Sequence, residues 1–130
     1  MKKFFTAGLV IFSILTLAGP LKAEIKVVEA AISTGIANLS PVGAGESFPS
    51  TVGRLFCYSR IEGGKIGSMI THRWYYNDSL MAVIPLEIKS AESFRTYSSK
   101  KILPSWKGKW RIEIKDSNGA LLKEIPFTVE

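Results

Sequence analysis

The sequence predicts an all-β domain, an immunoglobulin-like antiparallel β-sandwich of about seven strands behind an N-terminal signal peptide. Three observations predict it. Apolar segments beyond residue 24 are short, alternate with polar residues, and are bounded by Gly, Pro, Asn or Ser. None sustains helical spacing with a cap at both ends. Turn signals separate strands expected near residues 25–32, 52–61, 66–76, 80–89, 93–98, 109–115 and 121–129, a pattern that suits two layered sheets.

The chain opens with Lys2 and Lys3, then an uncharged, mostly apolar run of 16 residues over 4–19. Spanning a bilayer takes roughly 20. Pro20 breaks the run, and Leu21-Lys22-Ala23 ends on a small residue suited to cleavage before Glu24. The expected organisation is a signal peptide over 1–23 and a single sandwich domain over 24–130. Retention of the run as an anchor is the competing reading, disfavoured by its length. Export implies a periplasmic or secreted protein with no stable transmembrane span after cleavage. Loss of Lys2, Lys3 and Lys22 lowers the 17 basic residues to 14 against 11 acidic ones, a net charge of +3. That balance predicts no nucleic-acid partner.

The strand near 25–32 is followed by "STGIANLSPVGAGESFPST", residues 33–51, which lack sustained alternation. They are expected to hold an edge strand around Ile36 to Leu39 or to be mobile. The next two strands flank Gly63-Gly64, a two-residue hairpin turn by composition. That turn sets Ile61 opposite Ile66, Cys57 opposite Ile70 and Leu55 opposite His72, with Tyr58, Met69, Arg54 and Arg73 on the other face. Cys57 is the only cysteine, and its apolar surroundings favour a buried thiol over a link between chains. A three-residue loop, Asn77-Asp78-Ser79, then pairs Trp74 with Ala82, His72 with Ile84 and Ile70 with Leu86. Pro85 lacks a donor and places its strand at an edge or a bulge. In the last hairpin Trp110, Ile112 and Ile114 point inward, and Asn118-Gly119 pairs Ile112 with Ile125 and Trp110 with Phe127.

The motifs "VVEAAIST", "GRLFCYS", "THRWYYN", "FRTYSSK" and "GKWRIEIKDSNGALL" occur in this order. Together they resemble the bacterial family called "domain of unknown function 2914", over nearly the whole mature chain. His72-Arg73-Trp74, Arg95 to Lys100 and Gly108-x-Trp110 are the most specific parts. Phe94 stands where a tryptophan is more typical, and Ser40-Pro41 where an acidic residue often precedes the proline. The resemblance implies an exported or membrane-associated accessory domain and no particular reaction.

Catalytic signals are sparse. His72, the only histidine, reads either as a general base or as a strand histidine hydrogen-bonded beside Trp74 at the inner face. Gly-x-Ser-x-Gly, Asp-x-Asp and Gly-rich phosphate-loop motifs are missing. One His and one Cys make no zinc site. Asp116 to Gly119 resembles half a calcium loop without its downstream glutamate. No catalytic residue, metal or cofactor is expected.

Two surfaces are candidates for binding. A loop from Ser98 to Gly108 presents Lys100, Lys101, Trp106 and Lys107, with Arg95 nearby, to a glycan or an anionic surface. Trp106 stacks on a sugar ring or caps the core. Arg54, Phe56, Tyr58 and Arg60 share one strand face beside Arg73, a possible protein-partner face. The leading expectation is an exported, non-enzymatic binding module of the cell envelope, whose ligand is a glycan, an anionic polymer or a protein. A hydrolase or transferase centred on His72 and a purely structural self-associating domain are the alternatives. The oligomeric state stays open.

Overall fold

The computed structural model describes residues 25–130; the export-signal reading lies outside them. The described residues form β1 (Lys26–Ala37), β2 (Ser40–Gly45), β3 (Ser47–Phe48), β4 (Arg54–Glu62), β5 (Met69–Tyr76), β6 (Ser79–Glu87), β7 (Phe94–Lys101), β8 (Gly108–Asp116) and β9 (Leu121–Val129). These strands make a four-stranded sheet, β2-β1-β4-β7, and a five-stranded sheet, β3-β9-β8-β5-β6. All neighbours are antiparallel except the short β3–β9 pair. The all-β, two-layer expectation holds, with nine strands in place of seven.

The two-residue rhythm decides what the layers bury. Ile32, Leu55, Cys57 and Ile61 point inward from one sheet; Ile70, Trp74, Trp110, Ile112, Ile114, Phe127 and Val129 point inward from the other. Each fully buried side chain of this size contributes roughly 1.5–3 kcal/mol. The interior is therefore where most of the stability resides.

Both later hairpins have the expected pairs. Trp74 lies opposite Ala82, His72 opposite Ile84 and Ile70 opposite Leu86. The loop itself differs. Asn77 and Asp78, at φ 46° and 68°, make a two-residue turn, and a bulge after Trp74 takes up the third residue. Pro85 sits in β6, an edge strand. Ile112 lies opposite Ile125 and Trp110 opposite Phe127. In that turn only Gly119 has positive φ, and the Asp116 side chain accepts from the backbone N–H groups of Asn118 and Ala120. Those bonds tie the Asp116 carboxylate into the turn.

Three expectations are corrected. Gly63-Gly64 is not a hairpin turn: β4 and β5 lie in opposite sheets, and β4 pairs with β1 and β7. Leu55 and Cys57 therefore join Ile70 in one core from the opposite sheet rather than beside it. Inward parity is the same for strands that pair sideways and for strands that face each other, so alternation could not separate the two. The segment 63–68 crosses between layers, clipped to the β6–β7 connection by Gly67 N–H to Ile88 O (2.8 Å), Ile88 N–H to Ser68 O (2.8 Å) and Gly63 N–H to Ala91 O (3.2 Å).

Residues 33–51 are also more regular than composition suggested. β1 continues to Ala37, turns at Asn38-Leu39 (φ 53° and 55°) and returns as β2. β1 pairs with β4 only as far as Ser33 opposite Phe56. Ser40 and Pro41 nevertheless lie beside Glu29, Ala30 and Tyr58, so the β1–β2 arm doubles back over the outer face. A leucine at positive φ carries no turn signature, which hid this hairpin. Finally, β7 runs to Lys101 rather than ending at Ser98.

Gly64 marks the tightest point of the crossing. A Cβ there would meet Ile88 Cδ1 at 2.6 Å, and Ile88 is fully buried. Gly64→Ala is expected to lower stability by about 1–3 kcal/mol through overpacking. Combining it with Ile88→Val, which removes that methyl, should cost less than the sum of the single changes in urea denaturation.

Candidate functional site

Titratable groups in the interior come first. His72, on β5, is 0 % exposed. Its Nε2 lies 3.1 Å from Ser59 Oγ on β4, and its Nδ1 lies 2.7 Å from Ser98 Oγ on β7. The Trp74 Nε1–H donates to the same Ser98 Oγ at 3.1 Å. A neutral imidazole offers one donor and one acceptor, so each ring nitrogen finds a hydroxyl. Burial pulls the His72 pKa down to about 4, and the ring is neutral near pH 7. The structure thus places His72 as a strand histidine beside Trp74 that stitches the two sheets together. Cys57 is buried between its β1 and β7 neighbours, Ile32 and Ser98. Burial pushes its thiol far above the usual range, which suppresses the nucleophilic thiolate. No group of three or more His, Cys, Asp or Glu suited to a metal occurs among the described residues.

The surface of the four-stranded sheet is different. β4 and β7 pair Arg54 with Lys101, Phe56 with Ser99, Tyr58 with Tyr97 and Arg60 with Arg95. Cross-strand partners share a face, so Arg54, Phe56, Tyr58, Arg60, Arg95, Tyr97 and Lys101 lie on the outer side together, although Tyr58 is covered and only 4 % exposed, which removes it from the expected partner face. Phe56 and Tyr97 rings lie 6.1 Å apart, and Tyr97 is 42 % exposed. Arg54 donates to Ser99 Oγ (2.9 Å). At the far end Tyr58 Oη–H donates to Glu29 (3.0 Å), and Arg60 bridges Glu29 and Glu62. The Tyr58 hydroxyl and then Arg60 hold the Glu29 carboxyl below its ordinary range. Arg95 reaches Ser40 on the returning arm (3.3 Å), and these residues line a cavity of about 380 Å³ with Glu29, Ala30, Ala31, Pro41 and Tyr58.

The two surfaces expected from sequence are thereby regrouped. Arg95 and Lys101 leave the predicted loop set and join the Arg54–Arg60 face. Arg73 leaves that face: it lies on β5, in the other sheet, opposite Val83 and Glu113. Lys100, Trp106 and Lys107 remain together at one end of the sandwich. There the Trp106 ring packs against Tyr76 and Trp110 at 6.4 and 6.0 Å, with Lys100 Nζ 5.1 Å from its centroid. Trp110 Nε1–H donates to Trp106 O. Trp106 caps the core, and its ring is already partnered. Tyr97 is the member of the exposed face that sequence reasoning missed; its parity with Arg95 was the available signal.

Residues 68–129 match the model of a family described as "Protein of unknown function (DUF2914)". This is the family that the sequence motifs resemble, and the match covers 62 of the 130 residues. The matched stretch spans β5 to β9 and contains "THRWYYN", "FRTYSSK" and "GKWRIEIKDSNGALL"; "VVEAAIST" and "GRLFCYS" precede it. The matched segment supplies His72, Trp74 and Ser98 of the interior network, while Ser59 comes from β4 outside it. No curated protein matches the chain.

Two outcomes are expected from this network. Ser98→Ala leaves the Trp74 N–H and one His72 nitrogen unpaired and should cost about 3 kcal/mol in chemical denaturation. Between about pH 6.5 and 4 the unfolded histidine binds a proton that folded His72 refuses. Stability is therefore complete above that window and falls with pH across it, by about 3 kcal/mol in total. His72→Gln should flatten this slope in unfolding midpoints measured from pH 7 to 4.

Proposed function

We propose that this chain is an exported, non-enzymatic binding module of the cell envelope that engages an acidic glycan polymer across the outer face of its four-stranded sheet. One observation carries the reading. Among the described residues, Arg54, Arg95 and Lys101 make no ion pair, whereas Arg60 and Arg111 are each held by two or more carboxylates. These cations flank the Phe56–Tyr97 aromatic pair on one face, Arg95 with the Glu29 carboxylate across the cavity they share. That combination suits a ligand with both negative charge and ring faces. A reading as a hydrolase or transferase centred on His72 gains no support from a ring with no exposed surface.

Magnitude shapes the proposal. Each basic group near an anionic surface is worth about 1 kcal/mol, so three give roughly 3 kcal/mol, short of the 4.1 kcal/mol of a millimolar complex. Stacking on Tyr97 and repeated engagement along a polymer must supply the rest. Binding is expected to be weak per site, fast and salt-sensitive.

The combined variant Arg54→Ala, Arg95→Ala and Lys101→Ala should lose about 100-fold in affinity for an immobilised acidic polysaccharide, with its thermal unfolding unchanged. Tyr97→Ala should weaken binding without altering the salt slope. Retention by the triple variant equal to wild type, and insensitive to salt, rejects the face as the binding surface.

A further inference from the structure

We propose that the end of the sandwich carrying Ile66 is its lipid-facing end, seated on the headgroup layer of a phospholipid bilayer while the leader remains attached. Residues of the 63–68 crossing, Ile25 and Ala91 line a shallow bowl of about 870 Å³. Ile66, in that bowl, is 65 % exposed, the highest value among the exposed large apolar residues described. Lys65 stands beside it, with an apolar stem and a cationic tip suited to the headgroup region.

The occupant follows from the chain that enters the bowl. Residues 4–19 are uncharged and mostly apolar, and six Cα steps separate Gly19 from Ile25. Six steps reach at most about 20 Å, of which the headgroup layer takes about 5–8 Å. A run shorter than a full span also draws its flanks toward the bilayer. Ile25 is therefore held close to lipid whenever the run is embedded, and Ile66 shares its bowl. The loop over 102–107 follows the other end of β7. It lies the length of the eight-residue β7, roughly 25 Å, further out. Docking by Ile66 leaves the face of Arg54, Tyr97 and Lys101 standing clear of the membrane surface.

The test uses the full chain synthesised into liposomes, with Lys65→Cys or Lys107→Cys labelled by a fluorophore; Cys57 is buried and stays unlabelled. A lipid-borne quencher should quench the label at 65 several-fold more than the label at 107. Ile66→Asp should abolish that excess. Ten Gly/Ser residues inserted between Glu24 and Ile25 should leave it in place. Equal quenching at both positions overturns the proposal. So does an excess that survives Ile66→Asp or disappears with the longer linker, either of which means tethering without docking. An excess that grows with the protein-to-lipid ratio identifies a second copy of the chain as the occupant and overturns it as well.

Discussion

The hydrogen-bonded set Ser59–His72–Ser98–Trp74 is the constraint on which the rest of the molecule depends. It is the polar stitch between two otherwise apolar inner faces, with members on β4, β5 and β7. Apolar side chains tolerate small slips between layers; a buried imidazole and indole N–H do not, because each lost partner exposes a desolvation cost. The network therefore selects one alignment of the two sheets. By fixing Ser59 and Ser98 inward it also fixes their chain neighbours outward, which is how Arg60, Tyr97 and Ser99 come to share the outer side with Tyr58, which the β1–β2 arm covers.

The two outer faces then differ in electrostatics. On the five-stranded sheet, Arg111 is ringed by Asp78, Glu113 and Glu124, lies over the Tyr75 ring at 4.2 Å, and is joined through Glu113 to Lys115. Beside this ladder Thr71 Oγ1 and Arg73 Nε, on the same face, are buried without a hydrogen-bond partner. On the four-stranded sheet only the Glu29 end is closed in this way. The four-stranded face gathers its cations around an aromatic pair, whereas Arg111 on the other face is enclosed by carboxylates.

The sheet edges complete the division of labour. Pro85 interrupts β6 and Pro126 interrupts β9, and a proline has no donor to offer an incoming strand. β2 carries Pro41 and ends in a glycine-rich stretch. β7, the other edge of the four-stranded sheet, carries no such device and keeps its outer backbone edge unpaired by a strand.

Local chemistry made part of this readable from the sequence. The turns after β5 and β8 are short, so their strands had to pair with each other; Ile112–Ile125 followed from parity, while Trp74–Ala82, expected from a three-residue loop, arises from a two-residue turn plus a bulge. The same parity placed Arg54, Phe56, Tyr58 and Arg60 on one face and the buried ends of Leu55, Ile70 and Trp74 inside. What it could not supply was which strands lie side by side. The partners of β4 are β1 and β7, one more than thirty residues away along the chain, and that choice moved Arg73 to the opposite sheet and brought Arg95, Tyr97 and Lys101 beside Arg54. Alternation along a strand is a property of the backbone and is written in consecutive residues. Adjacency between strands is settled by the joint burial of two layers and by the pairing of Ser59, His72 and Ser98, which exists only once the chain has folded.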